Sequence, residues 1–297
     1  MNFLIIGHSV VDKIHEQGRI VTKPGGIFYS VAAFLTQMKA SDKLFLCSAI
    51  DEEYNELFSE VYDRVDKRYL AVIDLIPQVE LILNDEAERK EIYSHLGNNL
   101  KLPIENLNEF DGILINMITG FDISLQQIQQ LRKNFRGIIY FDVHTLSRGV
   151  NSKLKRDFRQ IKDFGKWAEC INILQTNESE LQTLSSQKDE DKIIQELFYK
   201  GIEQVIITRA EKGASVYFHE GREIKKNDVN ALQTKVVNKV GCGDVFGSVY
   251  FYNYIQNKNI ISSLKKANLY AGISTTYSDI NELRKLNKDA AAKSGEK

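Results

Sequence analysis

The chain has 297 residues, 43% of them hydrophobic and 27% charged, which is enough apolar material for one large domain or two small ones and excludes a disordered, collagen-like or coiled-coil chain. Lys and Arg total 39 against 40 Asp and Glu, a formal net charge of -1, so the broad positive field of a sequence-independent nucleic-acid binder is absent. The expected partner is a small molecule.

No apolar run approaches the roughly 20 residues needed to cross a bilayer, so no membrane association is expected. Met1 to Asp12 begins with an apolar stretch but has no basic region, and it meets Gly7, His8 and Asp12 before a signal sequence could finish. Cys47, Cys170 and Cys242 are odd in number and contain no close pair, the pattern of reduced thiols, so a cytoplasmic setting is expected.

Taken in chain order, Asn2 to Gly7 (NFLIIG) reads as a strand buried on both faces. Gly25 to Met38 spaces Phe28, Val31, Ala32 and Leu35 at helical intervals, and Lys43 to Ala49 reads as strand again. The alternation returns in a strand over Gly112 to Asn116, a helix over Ser124 to Phe135, a strand over Gly137 to Val143, an amphipathic stretch, and a strand over Cys170 to Leu174. Repeated strand-helix units of this kind predict a parallel sheet with right-handed crossovers. Two stretches break the rhythm: Lys13 to Thr22 alternates loosely, and Val79 to Leu83 with Glu91 to His95 flanks a charged turn as a hairpin would. They predict a small separate sheet or lid over about residues 10–24 and 79–96. No linker-like segment or internal repeat divides the chain, so residues 1–297 are expected to form one domain, with residues 287–297 as a flexible polar tail.

The most informative segment is Val236 to Tyr254, VVNKVGCGDVFGSVYFYNY. A short β-like run reaches Gly241-Cys242-Gly243-Asp244, and an apolar helix-like run follows. A glycine-rich turn into a helix presents unpaired N–H groups at the positive end of the helix dipole, which suits an anion. Asp244 falls in the first helical turn, where a carboxylate that merely complements the dipole is also at home.

This segment resembles the second signature of the ribokinase-like (PfkB-type) family of ATP-dependent sugar and nucleoside kinases, Asp-Thr-x-Gly-Ala-Gly-Asp before a helix. Here it stands as Asn238-Lys239-Val240-Gly241-Cys242-Gly243-Asp244. The resemblance implies that the amides of Gly241, Cys242 and Gly243 form an anion hole for the transferring phosphoryl group and that Asp244 deprotonates the acceptor hydroxyl. Phosphoryl transfer needs alignment and charge neutralisation, with a carboxylate to receive the proton.

Other stretches follow the family in the same order over roughly residues 2 to 280. Gly25-Gly26 is similar to the pair that opens a helix in the first signature, with Ser30 where members commonly carry a substrate-holding Asn. Gly7-His8-Ser9-Val10-Val11-Asp12 resembles the segment whose Asp grips two sugar hydroxyls, which implies Asp12 for substrate; an exposed turn acid is its plainer alternative. Thr176-Asn177-Glu178-Ser179-Glu180 resembles the Asn-x-x-Glu element, implying Asn177 near the triphosphate and Glu180 organising Mg2+ through water, although such a sequence also caps a helix. Thr208 and Gly213 match a nucleotide-side turn in which Ala210 replaces the first glycine, and Asn268 matches a late-helix Asn beside the adenine. Asp142 and Arg148, with His144 between them in an Asn position, resemble a strand-end Asp-x-Asn-x-x-x-Arg element; the two either reach the cleft or pair with each other. The late Gly-Ala segment that members place around a monovalent cation is missing, so K+ is not implied.

The fold implied is a ribokinase-like α/β three-layer sandwich with a mostly parallel central sheet and a small β-sheet lid. The implied activity is transfer of the γ-phosphoryl group of ATP, with Mg2+, to a hydroxyl of a small sugar, with a nucleoside as the next candidate and a homodimer through the lid as a plausible assembly. A sugar or nucleotide sensor of the same fold is the alternative, suggested by Ser30, Lys239 and Ala210. A methyltransferase fits poorly because Val245 stands where its loop needs a third glycine. GxGxxG, HExxH and GxSxG are all absent.

Overall fold

The computed structural model describes residues 1–16, 19–82, 90–151 and 154–294. The first apolar run forms β1 (Asn2–Ile6), followed by β2 (Ser9–Glu16), β3 (Arg19–Gly26), helix α1 (Ile27–Gln37) and β4 (Lys43–Ile50). Then come α2 (Asn55–Tyr62), β5 (Leu70–Val72), β6 (Gln78–Ile82), β7 (Lys90–His95) and β8 (Gly112–Asn116). Helix α3 (Leu125–Asn134) leads to β9 (Ile138–Asp142), a hairpin of β10 (Arg148–Val150) and β11 (Arg156–Phe158), and α4 (Phe164–Ala168). The chain continues through β12 (Ile173–Asn177), α5 (Glu178–Leu181), α6 (Glu190–Tyr199), β13 (Gln204–Thr208), β14 (Ala214–Glu220) and β15 (Glu223–Val229). Three helices complete it: α7 (Cys242–Asn257), α8 (Ile260–Ser274) and α9 (Leu286–Ser294).

The main sheet has nine strands in the order β15-β14-β13-β12-β9-β8-β1-β4-β5. Every pair from β13 across to β5 is parallel, while β14 and β15 add an antiparallel edge. Its central strands read as unbroken apolar runs because both faces are covered. All five residues of β8 are buried. Helices α1, α7 and α8 pack together as one group and α3 with α4 as another. Ser124 starts α3 with a capping box closed by Gln127, which fixes the entry of that helix from sequence.

The two irregular stretches pair into a second sheet of four strands, β3-β2-β6-β7. β2 and β3 are antiparallel, and β2 runs parallel to β6. The predicted turn between β6 and β7 falls on residues 83–89, outside the described residues.

Three local expectations need correction. The strand expected at Cys170 to Leu174 begins at Ile173, because Cys170 and Ile171 close the turn after α4 through N–H bonds to Trp167 and Ala168 carbonyls. Val236 to Val240 forms no strand; the N–H groups of Val237 and Asn238 both donate to Thr275 O, at 2.8 and 3.0 Å, tying this loop to the end of α8. The polar tail is helical as far as Ser294, since Leu286 and Ala290 are buried and Tyr277 OH donates to Asp289 at 2.7 Å. Residues 295–297 lie outside the described residues.

Candidate active site

The C-terminal ends of β1, β8, β9, β12 and β13 converge beside the four-stranded sheet and the start of α7, where parallel sheets collect ligands. A cleft of about 420 Å³ opens there, with Asp12, Tyr29, Tyr93, His144, Gly241 and Asp244 among its walls. Val10, Val79, Leu81, Ile118 and Val240 make the rest of the lining largely apolar.

Helix α7 begins at Gly241 without a side-chain cap, whereas α3, α5, α6 and α8 all have one. Its first-turn amides have no intrahelical carbonyl to meet, and the dipole adds positive potential. Cys242 N–H makes a long 3.4 Å bond back to Lys239 O. The turn is set by Asn238, whose Oδ1 accepts from Val240 N–H at 2.9 Å, and by Gly241 in the left-handed region at φ 77°. A Cβ at Gly241 would lie 2.0 Å from the Tyr29 ring, whereas one at Gly243 would meet nothing nearer than Gln175 Nε2 at 3.9 Å.

Asp12 lies on β2 and is 5% exposed, so the turn-acid alternative fails. Gly25 belongs to the neighbouring strand, and a Cβ on it would sit 2.3 Å from the Asp12 carboxyl group. Gly25 therefore makes room for Asp12, and Gly26, at φ 63°, then caps α1. Ser30 does not line the cleft: it is buried in α1, where its hydroxyl lies 3.4 Å from the Asn116 amide nitrogen. Motif reading passed over Asn116 itself, whose Nδ2 donates to Asp244 Oδ1 at 2.6 Å.

Behind Asp244 stands a second layer. Gln175, on β12, donates through Nε2 to Asp142 at 2.7 Å and to Gly243 O at 3.1 Å, and it accepts from Tyr140 OH. This network links the ends of β9 and β12 to the start of α7. Burial, with the charges of Glu180 and Asp244 nearby, pushes the Asp142 carboxyl well above its ordinary range. Arg148 does not pair with Asp142 but stacks on Phe158 at 4.5 Å, holding the β10–β11 hairpin.

Asn177 and Glu180 form a reciprocal capping box on α5, with bonds of 2.8 and 2.9 Å, so this motif has a structural role in addition to any ligand role. Thr208 sits level with Asn177 on the adjacent strand. Gly213, at φ 101°, allows β14 to approach Val229, whose carbonyl a Cβ would strike at 1.9 Å. Ala210 occupies the left-handed region at φ 48°, the conformation its glycine counterpart would adopt freely. Asn268 donates to Asn230 O at 2.8 Å and so ties α8 to the loop after β15. His8 is structural: its backbone and ring meet Asp122 Oδ1 at 2.8 and 3.0 Å, and its Nε2 meets Asn98 O at 2.9 Å.

Among the described residues, no three His, Cys, Asp or Glu side chains lie close enough to hold a metal by themselves. Glu180, whose charge bears on the neighbouring Asp142, nevertheless fits a hydrated Mg2+ carried in on phosphate oxygens, since one hard oxygen donor is enough for a cation that keeps most of its water. Among the same residues, no helix is long and apolar enough to cross a membrane.

The pfkB family carbohydrate kinase model matches residues 7–285, and the chain belongs to that family. Two curated deoxyribokinases, from Salmonella typhi and Salmonella typhimurium, are 31% identical over 105 residues, which is 34% of this chain and 33% of each relative. The match thus spans about a third of the length of those relatives. Thermotoga maritima ribokinase superposes with a TM-score of 0.75 at 17% identity, covering 98% of this chain and 99% of its own. Arabidopsis thaliana ribokinase complexed with ribose and ATP gives 0.72 at 16% identity over 97% and 98% of the two chains. A putative ribokinase II from E. coli in complex with ATP and Mg2+ gives 0.72 at 18% identity over 97% and 99%. At these identities the structures speak for the shared fold.

Proposed function

We propose that this protein transfers the γ-phosphoryl group of ATP to a hydroxyl of a small sugar. The observation that carries the reading is that one cleft brings together Asp12 from β2, Gly26 from the end of β3, and Gly241 and Asp244 from the uncapped start of α7, with Gly25 making room for Asp12. As the acceptor O–H bond breaks, its proton goes to Asp244 and its electron pair forms the new bond to the γ-phosphorus. The bond from that phosphorus to the bridging oxygen breaks and ADP leaves. The amides of Gly241, Cys242 and Gly243 neutralise charge on the transferring group, and Asp12 aligns the acceptor by its other hydroxyls. Mg2+, when bound, supplies further charge neutralisation on the phosphate oxygens, with Glu180 the residue placed to organise its water. Asn177, Thr208, Gly213 and Asn268 lie on the nucleotide side.

A deoxyribose-type sugar heads the substrate panel. The two matching relatives are deoxyribokinases, and five apolar side chains in the cleft wall suit an acceptor with few hydroxyls. The decisive assay measures ADP release with Mg-ATP against 2-deoxyribose, ribose, hexoses and nucleosides. A stoichiometric phosphorylated sugar is expected; nucleotide and sugar binding without product would replace the kinase by the sensor. The four-stranded sheet acts in this reading as a lid, and its edge strand β3 exposes Ile20, a surface suited to a second lid in a homodimer. Sedimentation that finds only monomer at high concentration would remove the dimer. A cytoplasmic setting agrees with three free cysteines, of which Cys47 and Cys170 are buried.

A further inference from the structure

Asn116 ends β8, with β1 and β9 on either side of it, so its side chain is carried by one of the central strands of the main sheet. It is 1% exposed. Its Nδ2 donates to Asp244 Oδ1 at 2.6 Å and to Ser30 Oγ at 3.4 Å, while its Oδ1 is buried with no hydrogen-bond partner. An amide kept for architecture alone would satisfy both ends, because an unmet buried acceptor costs about 1–3 kcal/mol. This one satisfies the end that faces the carboxylate. Reversing the amide would set Oδ1 against the Asp244 oxygen and lose the 2.6 Å bond, which outweighs the long contact with the Ser30 hydroxyl that either orientation can make.

We infer that Asn116 is a positioning residue for Asp244: its amide fixes one carboxylate oxygen and favours the ionised form, the form that can take the acceptor proton. The inference rests on Asp244 being the base. Its need for a donor follows from its surroundings. Asp142 lies near it at the end of β9, with Glu180 of α5 behind. Asp12 of β2 and His144, just after β9, share the cleft, and Lys239 precedes the α7 turn. Neighbouring carboxylates disfavour a further negative charge, and a charge-assisted hydrogen bond opposes that effect. Ser30 belongs to the same device. From α1 its small side chain meets the β8 amide at 3.4 Å.

The test is a carboxyl-carbon NMR titration of the full chain, with the Asp244 signal assigned by its loss in Asp244→Asn. Asn116→Ala removes the donor, and Asn116→Asp replaces it by a carboxylate of nearly the same shape, so the second variant serves if the first fails to fold. The Asp244 midpoint is expected to move upward by about one to two pH units in Asn116→Ala and further in Asn116→Asp. Turnover of Mg-ATP with 2-deoxyribose should fall in kcat with little change in the KM for ATP. An Asp244 midpoint within 0.3 unit of wild type, on the order of the titration error, would overturn the inference. Turnover that survives in Asp244→Asn would instead overturn the base assignment, so the two failures are told apart.

Discussion

Gly243→Ala separates an anion hole from an ordinary helix start. Position 243 lies in the first turn of α7, and an added Cβ would meet only Gln175 Nε2, at 3.9 Å. Nothing in the protein resists the methyl group. Alanine exceeds glycine by roughly 0.5–1 kcal/mol inside a helix, and the end position takes the lower figure, so the folded state should gain about 0.5 kcal/mol and its Tm about 1–2 °C. If phosphoryl oxygens must approach this backbone, the same methyl group stands beside their path. Loss of one such donor lowers kcat by about 10²–10³-fold. Stability and activity should therefore move in opposite directions, read by thermal unfolding without ligand and by ADP release with the best acceptor. Gly241→Ala is the control: φ 77° costs about 1–2 kcal/mol for a side chain, and a Cβ 2.0 Å from the Tyr29 ring adds roughly 1–3 kcal/mol of overpacking. That variant should lose both stability and activity. A Gly243→Ala protein that is more stable and fully active would refute the anion hole.

Four further outcomes follow from the site. Asp244→Asn should lower kcat by about 10²–10⁴-fold with nucleotide binding retained, whereas a carboxylate serving only the helix dipole would cost about 0.3–1 kcal/mol of stability and leave turnover intact. Asp12→Asn should chiefly raise the KM for the acceptor, and an equal fall in kcat at saturation would contradict a gripping role. Ala210→Gly should stabilise the fold by about 0.5 kcal/mol, because relief of the left-handed backbone at φ 48° outweighs the extra unfolded-state entropy; calorimetry showing destabilisation would dismiss the strain. Asp142 has a raised carboxyl pKa, so its contribution to stability is full below the ordinary carboxyl value of 3.8 and fades as pH rises through the raised value. Asp142→Asn should accordingly gain stability relative to wild type as pH rises, by about 1.4 kcal/mol for each unit by which the folded pKa exceeds the unfolded one, and parallel stability-pH curves would exclude the shift.

Much of the architecture was legible because parallel strands covered on both faces carry a signal in a few consecutive residues. Gly112 to Asn116 is such a run, and its bounds match β8. The turn at Gly241 was legible for a related reason: a backbone in the left-handed region limits the residue type at one position. Where tertiary contacts decide, the reading slipped. Val236 and Val237 look like strand residues but are 48% and 55% exposed, and the loop is held through Val237 and Asn238 by the Thr275 carbonyl that no local pattern announces. The last helix looked like a polar tail because its buried positions include Ala290, whose small side chain hardly registers as an apolar stripe.

The site shows the same division between local and long-range information. Each signature names residues that are neighbours in sequence, yet the chemistry depends on how one signature meets another. Gly25 is open because Asp12 lies against it, and Gly241 is open because Tyr29 does. These contacts explain why small residues recur at fixed places, and they make the motifs mutually dependent instead of independent votes for one function. Asn116 falls outside every signature. It reaches Ser30 across 86 residues and Asp244 across 128, and an Asn at the end of an apolar strand is ordinary when read alone. The departure at Ser30, which in sequence suggests a weakened substrate site, acquires a different physical meaning once the two side chains are seen together: the α1 serine is small where the β8 amide approaches the carboxylate. A substitution that breaks a motif can thus mark the point at which another strand has entered the site.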